Sequence, residues 1–536
     1  MKIQFIGAAH EVTGSCTMLT INNRHYLVDC GMEQGRDVFQ NISLPVPASS
    51  IEAVFITHAH IDHSGMLPKL YKDGFKGLIY ATDVTCDLCN IMLRDSAHIQ
   101  ESEAKWRSRK SERAGGEIIE PVYNMNDALG AISLFRRCAY GDIVCVDEGI
   151  SLRFTDIGHL LGSACIEIWL TEDNTHKKIV FSGDVGNTGQ RIICDPKQVE
   201  ETDYLVIEST YGNRLHEGDR KDSVISLAAY IQKAFDRGGS VVIPSFAVGR
   251  TQEMLYAIRE IKDKGLVTGH DNFPVYVDSP LASEATSIFI QCNPVCFDEE
   301  TMALINKGIN PIWFDCLKIT ESLEESKLIN LDETPKVIIS ASGMCEGGRI
   351  RHHLKHNLWK DSNIILFVGY QAEGSLGRRL LDGVRSIKLF GEEISVNAEI
   401  ANLQGTSGHA DRNGLVKWIE GFKKKPGLIF VNHGEAKACE DFKDLLCSLG
   451  YNSVAPYSGA EYSLATGKLT LYAEGKPVEH IERYDGGGDR ARYIYKNMVL
   501  QAEQLLAMVQ ARQGRSNKDN AKLTSQIRSL IEKWKD

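Results

Sequence analysis

Thr57-His58-Ala59-His60-Ile61-Asp62-His63 gathers three imidazoles and a carboxylate into one short stretch. Before it, Ala53-Val54-Phe55-Ile56 reads as a buried strand; after it, Ser64-Gly65-Met66-Leu67 reads as the start of a helix. The polar side chains therefore stand at a strand-to-helix corner, where they can converge on a point. Side chains two apart in an extended segment share a face, so His58 and His60 can grip one metal ion. Asp62 and His63, past the bend, are free to grip a second. Imidazole and carboxylate together suit zinc-like divalent ions. A single buried histidine is ordinarily structural, but four residues of ligand type directly after an apolar strand point to metal.

Two ions need more donors, and other strand ends supply them. His159 closes Asp156-Ile157-Gly158-His159, Asp184 closes Phe181-Ser182-Gly183-Asp184, and His433 closes Phe430-Val431-Asn432-His433. Asp29, in Leu27-Val28-Asp29-Cys30-Gly31, has the same setting. Each follows an apolar strand and borders or nears glycine, which lets backbone crowd around a site.

The elements that must hold these residues fall into blocks. A chain of 536 residues is expected to form two or three domains. Residues 1–208 read mainly as strands. From about 220 helices and strands alternate, as in Ser223–Phe235, Ser240–Pro244, Gln252–Lys262 and Val275–Asp278, the pattern of a parallel sheet covered on both faces. Near 400 the pattern turns again through Gly405-Thr406-Ser407-Gly408-His409-Ala410-Asp411 to the strand Leu428–Val431. The tail has helical spacing at Met498, Leu500, Leu505, Leu506 and Val509, with a break at Gly514-Arg515-Ser516-Asn517.

Composition excludes several classes. Hydrophobic residues at 43% and charged ones at 24% describe a globular protein. No apolar run is long enough to span a membrane, and the first residues enter a strand directly, leaving no room for a signal peptide. The 14 cysteines lack a framework and read as reduced thiols of a cytoplasmic protein; the lone Cys86/Cys89 pair has no partner pair at finger spacing. A net charge of −11 does not advertise a nucleic-acid binder, but it is compatible with a local basic channel. Lys105-Trp106-Arg107-Ser108-Arg109-Lys110 and the C-terminal tail run against the average; the first is either a base-stacking rim or a solvated helix face.

The order Asp29, the His58-to-His63 cluster, His159 and Asp184 resembles the metallo-β-lactamase fold. Glu208-Ser209-Thr210-Tyr211-Gly212, Ser407-Gly408-His409-Ala410 and Asn432-His433-Gly434-Glu435 resemble the three added motifs of its β-CASP branch. That branch holds the cleavage-and-polyadenylation nuclease subunit, RNase J and prokaryotic relatives. Pro244-Ser245-Phe246-Ala247-Val248-Gly249-Arg250 and Gly369-Tyr370-Gln371-Ala372-Glu373-Gly374-Ser375-Leu376-Gly377 resemble the branch's inserted domain. The likeness runs over residues 1–460 and is nearest to the prokaryotic group resembling the polyadenylation-factor nuclease.

The resemblance implies an α/β fold: a metallo-β-lactamase αββα sandwich (1–208, completed by 401–475), an inserted β-CASP domain (209–400) and a helical C-terminal extension (476–536). It implies two Zn2+ per chain. His58, His60, His159 and Asp184 would hold one; Asp62, His63, His433 and the shared Asp184 the other, with Asp29 orienting a ligand histidine. Glu208 and His409 would pair near the scissile phosphate.

Two such ions about 3.5–4 Å apart activate a bridging hydroxide and clamp a phosphodiester, so no serine or cysteine nucleophile is needed. The leaving alkoxide needs a proton, and His409, its ring held by Glu208, is the candidate acid. Arg250 and Arg349, after glycine-containing turns, suit phosphate contacts, and Ser407, Gly408 and Ala410 offer further substrate contacts. The expected activity is a zinc-dependent ribonuclease on single-stranded RNA, endonuclease or 5′-exonuclease. The alternatives are a small-molecule metallo-hydrolase, which the long insert disfavours by roofing the metals; a DNA nuclease of the same branch; and a non-catalytic subunit, which the intact ligand set disfavours. The tail reads as a dimer arm, making a homodimer one expectation, or as a packing strap or an RNA contact.

Overall fold

The computed structural model describes residues 1–35, 38–112, 118–216, 220–372, 374–405, 407–478 and 517–533, with scattered positions between 498 and 509. Contacts divide the chain into two units, Met1–Pro477 and Val478–Asp536.

Two sheets of the first unit face each other. The eight-stranded one runs in the order Lys468–Leu471, Glu461–Ser463, Lys2–Gly7, Cys16–Ile21, Arg24–Val28, Ile51–Phe55, Leu78–Thr82, Phe135–Cys138. The seven-stranded one runs Ser453–Val454, Leu428–Val431, Tyr204–Ile207, Thr175–Phe181, Ala164–Glu172, Ile150–Asp156, Val144–Asp147. Successive side chains on a strand point to opposite faces, and the apolar runs fill both. Val28, Phe55, Phe181, Val206 and Phe430 meet in the core between the sheets. Their neighbours Leu27 and Val54 pack outward in the cluster that includes Leu88 and Leu93 of the helix Asp83–Glu112. Val180, Leu205 and Ile429 pack outward with Leu415 and Trp418 of the helix Arg412–Glu420 and Phe442 of Ala436–Ser448. Each layer buries two faces, as a four-layer αββα sandwich requires.

A third sheet of six strands is parallel throughout: Leu317–Ile319, Val275–Val277, Val337–Ser340, Val241–Pro244, Ile364–Phe367, Glu399–Asn402. Ile243 and Ile339 face one covering layer while Val242 and Ile338 face the other, so the strands read as continuous apolar runs. Its first layer shares one apolar cluster with the outer face of the eight-stranded sheet, which fastens the two together.

In the second unit, Asn517–Lys533 is a helix. Leu500 and the break at Gly514-Arg515-Ser516 lie outside the described residues, as do Glu373 and Thr406 of the two motifs.

Candidate metal centre and active site

Each ligand-type residue stands where a buried strand ends. Asp29 follows Arg24–Val28, His159 lies beyond Ile150–Asp156, Asp184 beyond Thr175–Phe181, Glu208 after Tyr204–Ile207 and His433 beyond Leu428–Val431. The strand Ile51–Phe55 delivers His58, and the short helix Ile61–Ser64 carries Asp62 and His63. The backbone enters the left-handed region at Asp29 (φ 59°), His159 (φ 64°) and His433 (φ 50°). A non-glycine residue held there costs on the order of 1–3 kcal/mol, and three of the residues that carry this strain belong to the site. Gly31 is obligatory for the same crowding: a Cβ there would lie 1.6 Å from the Asp62 carbonyl oxygen.

Two donor clusters result. In the first, His60 Nδ1 lies 3.0 Å from His58 Nε2 and 3.2 Å from His159 Nε2, and Asp184 Oδ2 lies 3.4 Å from both latter nitrogens. In the second, His63 Nε2 lies 3.0 Å from His433 Nε2, which is 3.8 Å from Asp62 Oδ2. Asp184 Oδ1 faces this second group, 3.3 Å from His63 Nε2 and 3.6 Å from His433 Nδ1. One carboxylate thus turns one oxygen to each cluster.

The donor sets fit divalent cations. Burial pushes His58, His60 and His159 down, which keeps these rings neutral with lone pairs available. Burial pushes Asp184 and Asp62 up, but the surrounding imidazoles outweigh it: Asp184 is held well below the usual carboxylate range and Asp62 at about 2. Asp184 Oδ1 is buried and accepts no hydrogen bond. An orphaned buried carboxylate oxygen is strongly unfavourable; a cation held by these residues would remove that penalty.

Asp29 supports the second cluster and is itself held by residues that carry no sequence signature. Asp29 Oδ2 lies 2.7 Å from His63 Nδ1. Asp29 also accepts the Thr57 amide at 2.9 Å, the Thr57 hydroxyl at 3.0 Å and the Ser15 hydroxyl at 3.2 Å. Burial pushes His63 down, yet Asp184 and Asp29 together hold it well above its ordinary value. Thr57 and Ser15 are ordinary hydroxyl residues in the sequence; only the fold brings them to Asp29.

His409 and Glu208 do meet. His409 Nδ1 lies 3.2 Å from Glu208 Oε1, and its Nε2 lies 3.9 Å from Asp184 Oδ2. Glu208 is fixed in turn by the Val185 amide at 2.6 Å and the Thr210 amide at 3.2 Å. Burial pushes His409 down, but Glu208 and Asp184 outweigh it and raise it to about 9. Cations beside Asp184 would pull this value back toward neutrality.

The expected phosphate contacts fare differently. Arg250 starts the helix Arg250–Asp263 and pairs with Glu253 one turn along. Arg349 is drawn inward instead: its Nη1 lies 2.6 Å from Asp278 Oδ1 and its Nη2 2.7 Å from the Glu321 carbonyl oxygen. Buried Asp278 also holds His353, Ser326 and Thr320, so the strand-then-glycine pattern at Arg349 serves an internal network. The Ala410 amide donates to the Val185 carbonyl at 2.7 Å and the Gly408 carbonyl accepts the Asn187 amide at 2.9 Å, while Ser407 Oγ lies 3.4 Å from the His409 carbonyl. These contacts fix the loop around His409. Trp106 is 64% exposed, and its neighbour Arg107 pairs with Glu103 across one helical turn; the Lys110 side chain lies outside the described residues. Cys86 and Cys89 are buried in a helix, and burial pushes the Cys86 thiol up to about 12 and the Cys89 thiol up as well.

An αββα sandwich with convergent imidazoles and carboxylates along one edge defines a metal-dependent hydrolase. Residues 11–137 match the metallo-beta-lactamase superfamily, residues 251–380 the Beta-Casp domain, and residues 393–456 the Zn-dependent metallo-hydrolase RNA specificity domain. The chain is 34% identical over 481 residues to Ribonuclease TTHA0252 of Thermus thermophilus, covering 89% of this chain and 100% of that protein. It is 33% identical to Transcription termination factor FttA of Methanosarcina mazei, over 82% of this chain and 68% of that one. The FttA of Methanocaldococcus jannaschii is 32% identical over 83% and 68%. The chain belongs to the metallo-β-lactamase β-CASP ribonuclease family.

Proposed function

We propose that this chain is a two-zinc ribonuclease that hydrolyses phosphodiester bonds of single-stranded RNA. The observation that carries the reading is Asp184, whose Oδ2 serves the His58–His60–His159 cluster and whose Oδ1 serves Asp62, His63 and His433. Zinc ions held there would activate water and neutralise charge on the phosphate. Asp29 orients His63 so that its Nε2 faces the metal side. Glu208 holds His409 by Nδ1, leaving Nε2 directed at the site to deliver a proton to the departing ribose oxygen. Arg250, whose charge acts on Tyr211, is the guanidinium proposed for a backbone phosphate.

This reading divides the chain into a sandwich (1–208 and 401–475), a β-CASP insert (209–400) and a C-terminal extension (476–536). Leu523, Ile527 and Leu530 share one face of the helix Asn517–Lys533, and Leu530 is 54% exposed; we assign that face to a homodimer contact. No helix among the described residues is long and apolar enough to cross a membrane. All 14 cysteines are free thiols, which accords with a cytoplasmic location.

The test is incubation of purified protein with end-labelled single-stranded RNA and matched DNA, before and after chelation and after zinc is restored. RNA cleavage that chelation abolishes and zinc restores is expected. Cleavage of DNA at an equal rate would make the chain a general nuclease, and cleavage indifferent to chelation would end the metal reading.

A further inference from the structure

We propose that His216 is a positioning residue for His409: its ring holds the His409 carbonyl and thereby fixes where the proton-donating Nε2 points. The proposal rests on the reading of His409 as the general acid.

His409 sits on a loop gripped from three sides. On one side, residues 185–190 hold its neighbours through Val185 with Ala410 and Asn187 with Gly408, and the Gln190 side chain adds a bond to the Gly408 carbonyl. Behind the ring stands Glu208. The third grip falls on His409 itself: His216 Nε2 lies 2.9 Å from its carbonyl oxygen. A carbonyl only accepts, so this His216 nitrogen carries the hydrogen. Ser407 Oγ reaches the same oxygen at a longer 3.4 Å.

The rest of the segment keeps His216 in register. Its amide donates to Asp411 Oδ2 at 3.2 Å, and the Arg412 amide donates to the Arg214 carbonyl at 3.1 Å. Asp411 Oδ1 caps the helix Arg412–Glu420 through the Gly414 amide at 2.9 Å. The Tyr211 ring lies edge-on to the His216 ring at 4.6 Å. The segment 211–216, which opens the insert, is thereby laced to the loop carrying the acid.

The peptide plane at 409 sets the direction of the His409 side chain. Releasing its carbonyl lets that plane rotate while Glu208 still tethers Nδ1, which displaces Nε2 from the leaving oxygen. A misplacement of about 1 Å in a reacting group costs on the order of 100-fold in rate. Glutamine can present an amide N–H near the place of His216 Nε2, whereas asparagine is one methylene short.

The experiment compares His216→Ala, His216→Asn, His216→Gln and His409→Ala on two substrates: single-stranded RNA, and a p-nitrophenyl phosphodiester whose leaving group needs no proton. Metal content and KM are measured alongside. For His216→Ala and His216→Asn, kcat on RNA should fall about 10- to 100-fold. KM and zinc content should hold, and the loss on the aryl ester should be at least tenfold smaller. His216→Gln should recover most of the RNA rate. Equal losses on both substrates, zinc loss, or no difference between glutamine and asparagine would overturn the positioning role, provided His409→Ala itself discriminates between the substrates. If His409→Ala slows both equally, the general-acid reading beneath the proposal fails instead. Should the alanine variant not fold, the glutamine–asparagine comparison carries the test.

Discussion

Asp29 Oδ2 lies 2.7 Å from His63 Nδ1, so the ring can turn only its Nε2 toward Asp184 and His433. A carboxylate behind a ligand imidazole fixes the tautomer and raises the basicity of the far nitrogen. Asp29→Asn should therefore weaken metal binding at the Asp62–His63–His433 cluster about 10- to 100-fold and leave the other cluster nearer its normal affinity. Competition against a graded series of chelators reads this; two unchanged affinities would show that Asp29 serves only to hold Thr57.

Asp184 touches both clusters, and its removal should empty both. Elemental analysis of Asp184→Ala after dialysis should find strong loss of zinc at each site, against one-sided loss for His159→Ala. Retention of two full equivalents would end the bridging role.

Much of this site was legible because ligand chemistry is local: His58, His60, Asp62 and His63 lie within one corner, and the strand-ending positions of His159, Asp184 and His433 follow from short apolar runs. The sandwich and the parallel insert were legible from the change of rhythm near residue 220. Pairings of long sequence separation were not. Glu461–Ser463 joins the sheet beside Lys2–Gln4, and Glu399–Asn402 closes the parallel sheet against Ile364–Phe367; no local periodicity encodes either partner. The partner of Arg349 was hidden for a related reason. Its glycine-rich surroundings suit a phosphate, but Asp278, far away in sequence, claims its guanidinium.

His409→Ala should keep its metal and lose about 10²- to 10⁴-fold in RNA cleavage, the range for removing a general acid. Glu208→Gln should be milder, since the ring remains but its tether weakens. Loss of zinc in His409→Ala would make His409 a ligand and redraw the division of labour with His433.

Asp278 gives a pH dependence. Burial pushes its carboxyl up, but bonds from His353, Ser326, Thr320 and Arg349 outweigh that and hold it well below the usual range. The folded value lies below the unfolded one of about 3.9, so the network's stabilisation is present above that value and is lost as pH falls toward the folded value. Urea unfolding of chelated protein should show stability dropping below about pH 4, while Asp278→Asn is weaker at neutral pH by about 3 kcal/mol and flatter in that acid window. Parallel acid profiles for the two proteins would mean other carboxylates dominate.

The insert leaves the sandwich just after Glu208 and returns just before His409, so its two ends flank this pair of side chains. Across the same region Tyr370 of the insert reaches Glu435 at 3.3 Å, two residues beyond His433 of the second donor cluster, and Arg214 reaches the other Glu435 oxygen at 3.5 Å. With the two walls tied together this close to the donor clusters, we expect the passage between them to admit a single backbone. A duplex would present its second strand to the insert and force these contacts apart, whereas an unpaired strand can thread between them and be held through its phosphates. Unstructured RNA should be cut at least about ten times faster than the same sequence in a blunt duplex, a discrimination of about 1.4 kcal/mol or more. Arg250→Ala should slow cleavage of different sequences by similar factors, because a phosphate contact carries no base information. Equal rates on duplex and single strand would mean that the insert swings wide of the sandwich, and the closed cleft would then describe only the resting enzyme.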